Sequence, residues 1–479
     1  MAPLALLLSL ILIAWLLVRD CRRRTSVSAA IWIPTLFLLI VGSRPVSLWL
    51  GGGVVRGTMG NDAERSPLDQ VFYLSIIVGS WLIASSRRVN WHKLLTANTA
   101  LIPLYFFFAI SVLWSGDPVG SSKRLFKDFG MLFVISAILS EKDPLEAIRA
   151  VYVRCACVLF PLSVVFIRYF PTIARYYSIA GEEMLTGVTT QKNTLGEIIL
   201  VFSLFLIWEC LERRSAGGRR MSRQIPWDCL ALLLMAAWLL YMSQSKTALI
   251  CLLIGVGLVA RKGWLASRMT SGIVLLAALS APVLMFFEQR FSSTIAPLVE
   301  AVGRDTTFTG RTNIWEHITF TTVNAFVGAG YWNFWGGKGG LAISQAMGTT
   351  VPNAHCGYLD IFLDGGVIGL ALLLCLLVAS GRRLIASFHV NRYQQVQFAV
   401  LIVMILYNLT ESTFFRLSLT WFTTLLVIIV FPSLKTRVRK SQASLAEDSD
   451  GIQLSTAHVP QYVNQWRHQR CPSPSRQSI

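Results

Sequence analysis

The chain has 479 residues, 54% hydrophobic and only 14% charged, with a mean hydropathy of +0.57. A soluble globular domain carries about 25% charged residues, so a soluble enzyme, a disordered protein and a disulfide-stapled secreted domain are all excluded. The formal net charge of +18 would suggest nucleic acid in a soluble protein. Here the basic residues instead separate apolar blocks long enough to cross about 30 Å of hydrocarbon as helices, so nucleic acid is not expected as a partner and the lipid bilayer is.

In chain order, spans are expected near 4–18, 31–42, 71–83, 97–114, 126–140, 151–167, 194–211, 226–242, 247–260, 270–287, 364–380, 394–410 and 418–432. The first block is followed, not preceded, by its charges, Arg19-Asp20-Cys21-Arg22-Arg23-Arg24. That is the reverse of a signal peptide, so residues 1–30 read as an extra span and basic loop before a twelve-span core. The expected fold class is an all-α polytopic membrane protein of about 12–13 transmembrane helices.

Alternate loops differ in charge. The set 19–30, 84–93, 141–150, 212–223, 261–268, 381–392 and 435–440 holds 24 Lys and Arg in 70 residues. The set 43–68, 115–128, 168–193, 243–246, 288–360 and 411–417 holds 15 in about 150 residues. Because cytoplasmic loops retain positive charge, the first set is assigned to the cytoplasm and the second to the outside. The helices of 31–287 thus carry two outside loops, 43–68 and 168–193. A large outside loop, 288–360, follows, then the C-terminal helices of 361–440 and a polar, disordered cytoplasmic tail, 441–479. The 288–360 loop has room for two or three helices, and its Phe308, Trp315, Phe326, Tyr331, Trp332, Phe334 and Trp335 argue against disorder. No repeat suggests an inverted-topology transporter.

Of the nine cysteines, Cys356 alone falls in an outside loop, and no C-x-x-C spacing occurs, so neither disulfides nor thiol chemistry are expected. There is no H-E-x-x-H, no P-loop and no outside acidic or histidine cluster with metal-ligand spacing. Neither a metal nor a cofactor is expected. Only two of six histidines, His317 and His355, lie in outside loops. His355, before Gly365-Gly366-Val367-Ile368-Gly369, reads either as a solvated loop histidine or as a proton acceptor at the membrane boundary. Lys246, in a very short outside turn, and Arg311, near a helix start, read as a grip on a phosphate or pyrophosphate. Alternatively, Lys246 snorkels to headgroups and Arg311 pairs with Glu316 or Asp305. Lys123, Arg124 and Lys127 form a further outward basic cluster. Glu411, ending a span, is either an interfacial carboxylate or functional, because acids at membrane depth are costly.

Six segments occur in a characteristic order: Leu113 to Pro118, Gln191-Lys192-Asn193-Thr194-Leu195-Gly196, Ser243 to Leu249, Gly310-Arg311-Thr312 with Trp315, His355 to Gly369, and Asn408 to Ser412. Together, over roughly residues 40–435, they resemble the O-antigen ligase and polymerase superfamily (Wzy/WaaL type), and within it the exopolysaccharide polymerisation proteins of the ExoQ kind. The resemblance implies a GT-C-like glycosyltransferase with a long helical periplasmic loop, working without metal. It would transfer a glycan from undecaprenyl pyrophosphate to an acceptor at the periplasmic face of the bacterial inner membrane.

In the family's ligases an essential His is followed by a small polar residue, nine others and G-x-x-G. That pattern falls on His355, Cys356, residues 357–365 and Gly366 to Gly369, with Cys in place of Asn, Ser or Thr. The R-x-x-x-L element falls on Lys246 to Ile250, with Lys for Arg and Ile for Leu, and the His that often precedes Lys-Asn is Gln191. The resemblance makes His355 the general base, with Lys246 and Arg311 neutralising the departing pyrophosphate. Lys192, Asn193, Lys123, Arg124 and Glu411 are the further substrate-binding candidates. The partners implied are an undecaprenyl-pyrophosphate-linked oligosaccharide, a growing polysaccharide or a lipid A-core acceptor, a chain-length regulator and a flippase. A polymerase is the leading reading, an O-antigen ligase the alternative, and a transporter or flippase the third. The transporter is disfavoured because the spans are mostly uncharged.

Overall fold

The computed structural model describes residues 1–51, 66–177, 181, 183–216, 226–260, 268–288, 311–319, 323–387 and 392–431. All of these except Phe431 fall in one compact unit, Met1–Val430. The helices are α1 (Ala2–Arg23), α2 (Trp32–Val41), α3 (Val46–Trp49), α4 (Pro67–Ser86), α5 (Trp91–Ala97), α6 (Leu101–Ser111), α7 (Pro118–Leu139), α8 (Pro144–Tyr169), α9 (Pro171–Ala174), α10 (Lys192–Ala216), α11 (Trp227–Ser243), α12 (Lys246–Ala260), α13 (Arg268–Glu288), α14 (Arg311–Thr319), α15 (Lys338–Ala346), α16 (Gly357–Ser387), α17 (Arg392–Tyr407) and α18 (Leu419–Ile428). One small antiparallel hairpin, β1 (Arg175–Tyr177) with β2 (Glu183–Leu185), pairs Tyr176 with Met184. Five helices, α1, α4, α8, α10 and α16, are each long and apolar enough to span a membrane, and shorter apolar helices accompany them. The chain is an all-α polytopic membrane protein.

Every expected span falls on a helix, and two boundaries are corrected. The span expected at 97–114 is broken: α5 and the helix continuing from Leu101 to Trp114 meet at 99°. Asn98 accounts for the bend. Its Nδ2 donates to the Leu94 and Val430 carbonyls, and its Oδ1 accepts from the Val430 amide at 2.8 Å, replacing the helical bonds lost at the corner. The loop expected at 115–128 is helical from Pro118. Asp117 caps it by accepting from the Gly120 amide at 3.0 Å with proline at the first helical position. Lys123, Arg124 and Lys127 therefore lie on the first turns of α7. Of the loops expected outside, the parts described hold α3, α9, the hairpin, α14 and α15, whereas residues 52–65, 289–310 and the tail 441–479 lie outside the described residues.

Burial separates centre from periphery. In α8, 83% of the apolar window is buried and in α10 78%, against 17% in α1. All ten residues of α18 are buried. Polar pairs tie these central helices together. Tyr152 of α8 shares a 2.9 Å hydrogen bond with Thr423 of α18, and Glu197 of α10 accepts from both the amide and hydroxyl of Thr420.

At the other end of α10, Glu209 enters a buried ion network with Arg24, which caps α1, and Arg213, which also reaches Asp228 of α11, while Asp20 of α1 pairs with Arg154 of α8. At 1.5 Å rise per residue this network stands about 26 Å along α10 from Lys192. It anchors α1 by charge rather than by apolar burial.

A break inside α16 shapes the other end. Gly366 has φ +61° and ψ −162°, a region open essentially to glycine alone. The backbone polar groups freed there are met by a neighbouring loop. Val367 and Ile368 donate to the Ala325 and Phe326 carbonyls, and Leu363 and Asp364 accept from Ala329 and Gly330. A Cβ on Gly366 would lie 2.3 Å from the Phe326 carbonyl. Gly366→Ala is therefore expected to destabilise the protein by more than about 2 kcal/mol, seen as a lower Tm and loss of monodisperse protein in detergent. An unchanged Tm would contradict this account of the break.

Candidate functional site

Three sequence-distant segments meet at the start of α16, before this break. Glu411 follows α17, with its amide bonded to the Tyr407 carbonyl and its own carbonyl accepting from Gly357, the first residue of α16. Its carboxylate faces a guanidinium and an imidazole. Oε1 accepts from Arg311 Nη2 at 3.0 Å, and Oε2 lies 3.9 Å from His355 Nδ1. Arg311 opens α14, and His355 stands just before α16. Arg311 and Glu411 are largely buried, at 13% and 11% side-chain exposure, whereas the imidazole is 29% exposed. Nδ1 itself is buried and makes no hydrogen bond.

His355 is held in an uncommon backbone state. Its φ is +51°, costing an L-residue about 1–2 kcal/mol. The flanking peptide is fixed from both sides to offset that. The Ala354 amide donates to Asp360 Oδ1 at 3.0 Å, its carbonyl accepts from Trp315 Nε1 at 2.8 Å, and the His355 amide donates to Asn353 Oδ1 at 2.9 Å. Asp360 also accepts from Trp335 Nε1 at 2.8 Å and from Arg416 Nη2 at 2.6 Å.

The other sequence candidates arrange around this centre or away from it. Lys246 is exposed as the first residue of α12, and its neighbour Thr247 shares a 2.8 Å hydrogen bond with Thr410, next to Glu411. Lys192 and Asn193 open α10. Asn193 accepts at 3.4 Å from the hydroxyl of Tyr407, one turn before Glu411, and the Lys192 backbone hydrogen-bonds the Tyr176 hydroxyl. Lys123 and Arg124 belong to a separate cluster on α7. The Arg124 guanidinium lies 4.7 Å from the centre of the Trp332 ring and donates to the Trp332 carbonyl. Arg416 lies 4.5 Å from the same ring, so this cluster reaches His355 only indirectly, through Arg416 and Asp360.

Arg311 pairs with Glu411; Glu316, one alternative from the sequence, is on its own helix, and Asp305 lies outside the described residues. Asp360 and Arg416 were missed as site residues. The available signal was the one that singled out Glu411, a charge at the mouth of an apolar helix. Chemically, the arrangement offers a histidine with one nitrogen turned to a carboxylate, and an arginine with donors beyond the one given to Glu411.

Residues 230–374 match the O-antigen ligase family model. The matched segment holds Lys246, Arg311, His355 and the break at Gly366, and it supports the O-antigen ligase and polymerase superfamily; Glu411, Arg416 and Lys192 lie outside it. No curated protein matches the chain.

Cys356, beside the histidine, is buried, and burial pushes its thiol up to about 11. Below that value the group is the neutral thiol, so at pH 8 about one molecule in a thousand carries the reactive thiolate, rising tenfold per pH unit. Iodoacetamide on the solubilised protein at pH 8 should leave Cys356 unmodified while exposed Cys21 reacts. Equal labelling, followed by peptide mass spectrometry, would contradict the assignment of Cys356 as a packed, inert thiol.

Proposed function

We propose that the protein is a polysaccharide polymerase, of the exopolysaccharide kind that its sequence resembles. It joins undecaprenyl-pyrophosphate-linked glycan repeat units to one another at the periplasmic face of the bacterial inner membrane. The observation that carries this reading is the convergence of His355, Glu411 and Arg311 from three separate segments, two of them within the stretch similar to the O-antigen ligase model.

In the proposed step the acceptor hydroxyl attacks the anomeric carbon of the donor. His355 Nε2 takes the hydroxyl proton as the new C–O bond forms. The bond between the anomeric carbon and the pyrophosphate oxygen breaks, and its electron pair leaves with the pyrophosphate. Arg311 by its fork, and Lys246 as a point charge, balance the charge that develops there, the kind of preorganised stabilisation that often contributes most to catalysis. Lys192 and Asn193 extend the donor side. Lys123 and Arg124 serve the incoming anionic lipid at a distance from the reacting atoms. A flippase supplies the donor, and a chain-length regulator acts on the product.

A ligase that moves the glycan onto lipid A-core uses the same chemistry, and the description of the matched family favours it. The two differ in what a deletion strain accumulates. A polymerase leaves single lipid-linked repeats, whereas a ligase leaves long undecaprenyl-linked chains beside bare lipid A-core.

His355→Ala and Arg311→Ala are expected to lower polymer by about 10²-fold or more while the protein still inserts. Arg311→Lys should restore little, because lysine cannot fork onto a diphosphate. Polymer is measured by gel profile against membrane protein level, and normal polymer from His355→Ala refutes the transferase reading.

A further inference from the structure

Resting on that reading, we propose that Glu411 is a positioning residue that couples capture of the donor diphosphate by Arg311 to the basicity of His355. The carboxylate is shared unequally. One oxygen is hydrogen-bonded to Arg311 at 3.0 Å, and the other stops 3.9 Å from Nδ1, beyond hydrogen-bond length. Nδ1 is buried and has no hydrogen-bond partner, and the carboxylate that pairs with it is that of Glu411. Arg311 gives Glu411 one nitrogen rather than the two-pronged grip of a full fork. A diphosphate, with more charge and more oxygens, competes for that guanidinium. Once Arg311 turns to it, the carboxylate needs to move by only about 1 Å to accept from Nδ1. A carboxylate on Nδ1–H stabilises the imidazolium and makes Nε2 the stronger base. His355 would then take up its proton most readily when a donor is in place.

The groups that bear on His355 come from each element packed there. Tyr407 ends α17 and Glu411 follows it, Arg311 comes from α14, Asp360 from the start of α16 with Cys356 just before it, and Glu197 from α10 acts through Glu411. Of these, Glu411 is the group aimed at Nδ1. Glu411→Gln keeps the volume and the backbone bonds and removes the charge, so it is the discriminating variant.

The test uses full-length protein in detergent, with undecaprenyl pyrophosphate in mixed micelles as the probe. Diethyl pyrocarbonate reacts with neutral imidazole, and its addition to the peptide carrying His355 is followed by mass spectrometry from pH 5 to 8. In the native protein the probe should move the His355 midpoint upward by about one pH unit. In Glu411→Gln the midpoint should move by less than half as much, and Glu411→Asp should recover part of the movement. An equal movement in Glu411→Gln, or none in the native protein, overturns the coupling. The transferase reading is judged separately by the polymer made by His355→Ala, so the two can fail independently.

Discussion

The site hangs on one buried carboxylate. Asp360, 2% exposed, accepts from the Ala354 amide, the Trp335 indole and the Arg416 guanidinium, three groups from three separate stretches of chain. A carboxylate this deep is tolerable only with a charged partner and its oxygens bonded, and here both conditions hold. The same bonds that satisfy Asp360 fix the peptide before His355, join the loop around Trp335 to α16, and bring the segment after Glu411 against both. Removing its charge would strand Arg416 and release the histidine's backbone together, a double cost that no single surface contact carries. The left-handed φ of His355 is the strain that this web sustains, and strained residues persist where their surroundings over-determine them.

The break at Gly366 does the complementary work on the apolar side. A helix that loses its ladder next to hydrocarbon exposes amides and carbonyls that lipid cannot satisfy. The loop from Ala325 to Gly330 satisfies them with backbone groups of its own, while Gly365 and Gly369 let Phe107 and Phe108 close in on the helix. Loop and broken helix therefore form as one unit, and the segment that carries Trp332 and Trp335 is docked by hydrogen bonds rather than resting on a greasy face. The G-x-x-G that follows the histidine is thus a backbone requirement: the first glycine supplies a conformation, the last a close approach.

Much of this was legible in the residues. Apolar blocks of spanning length locate the helices because burial in hydrocarbon leaves few other ways to satisfy a backbone, whereas α7 and α8 start upstream of those blocks, at Asp-Pro pairs that supply a cap and a fixed φ. The corner at Asn98 was not legible, because its stability comes from Val430, more than three hundred residues later. The resemblance groups His355, Arg311 and Lys246 around one pyrophosphate, but the pairing of Arg311 with Glu411 is not legible, since 100 residues separate them and no local pattern encodes it. Asp360 and Arg416 are 56 residues apart, and a buried ion pair becomes visible only when both ends are placed.

Two departures from the family's pattern now take on a physical meaning. Where the motif has a small polar residue after the histidine, Cys356 is packed at 1% exposure, so what the position demands here is a small side chain that fits, and its neutral thiol adds no charge beside Glu411. Where the motif has arginine, Lys246 stands exposed at the start of α12, attached to the site through Thr247 and Thr410. A lysine there contributes charge without a directional fork. In the proposed transfer the directional grip on a leaving diphosphate falls to Arg311, the cation already held in register by Glu411. A site with one forked cation and one diffuse cation depends more heavily on the carboxylate that orients the fork, which makes Glu411 the residue through which substitutions on either side of the centre would be felt.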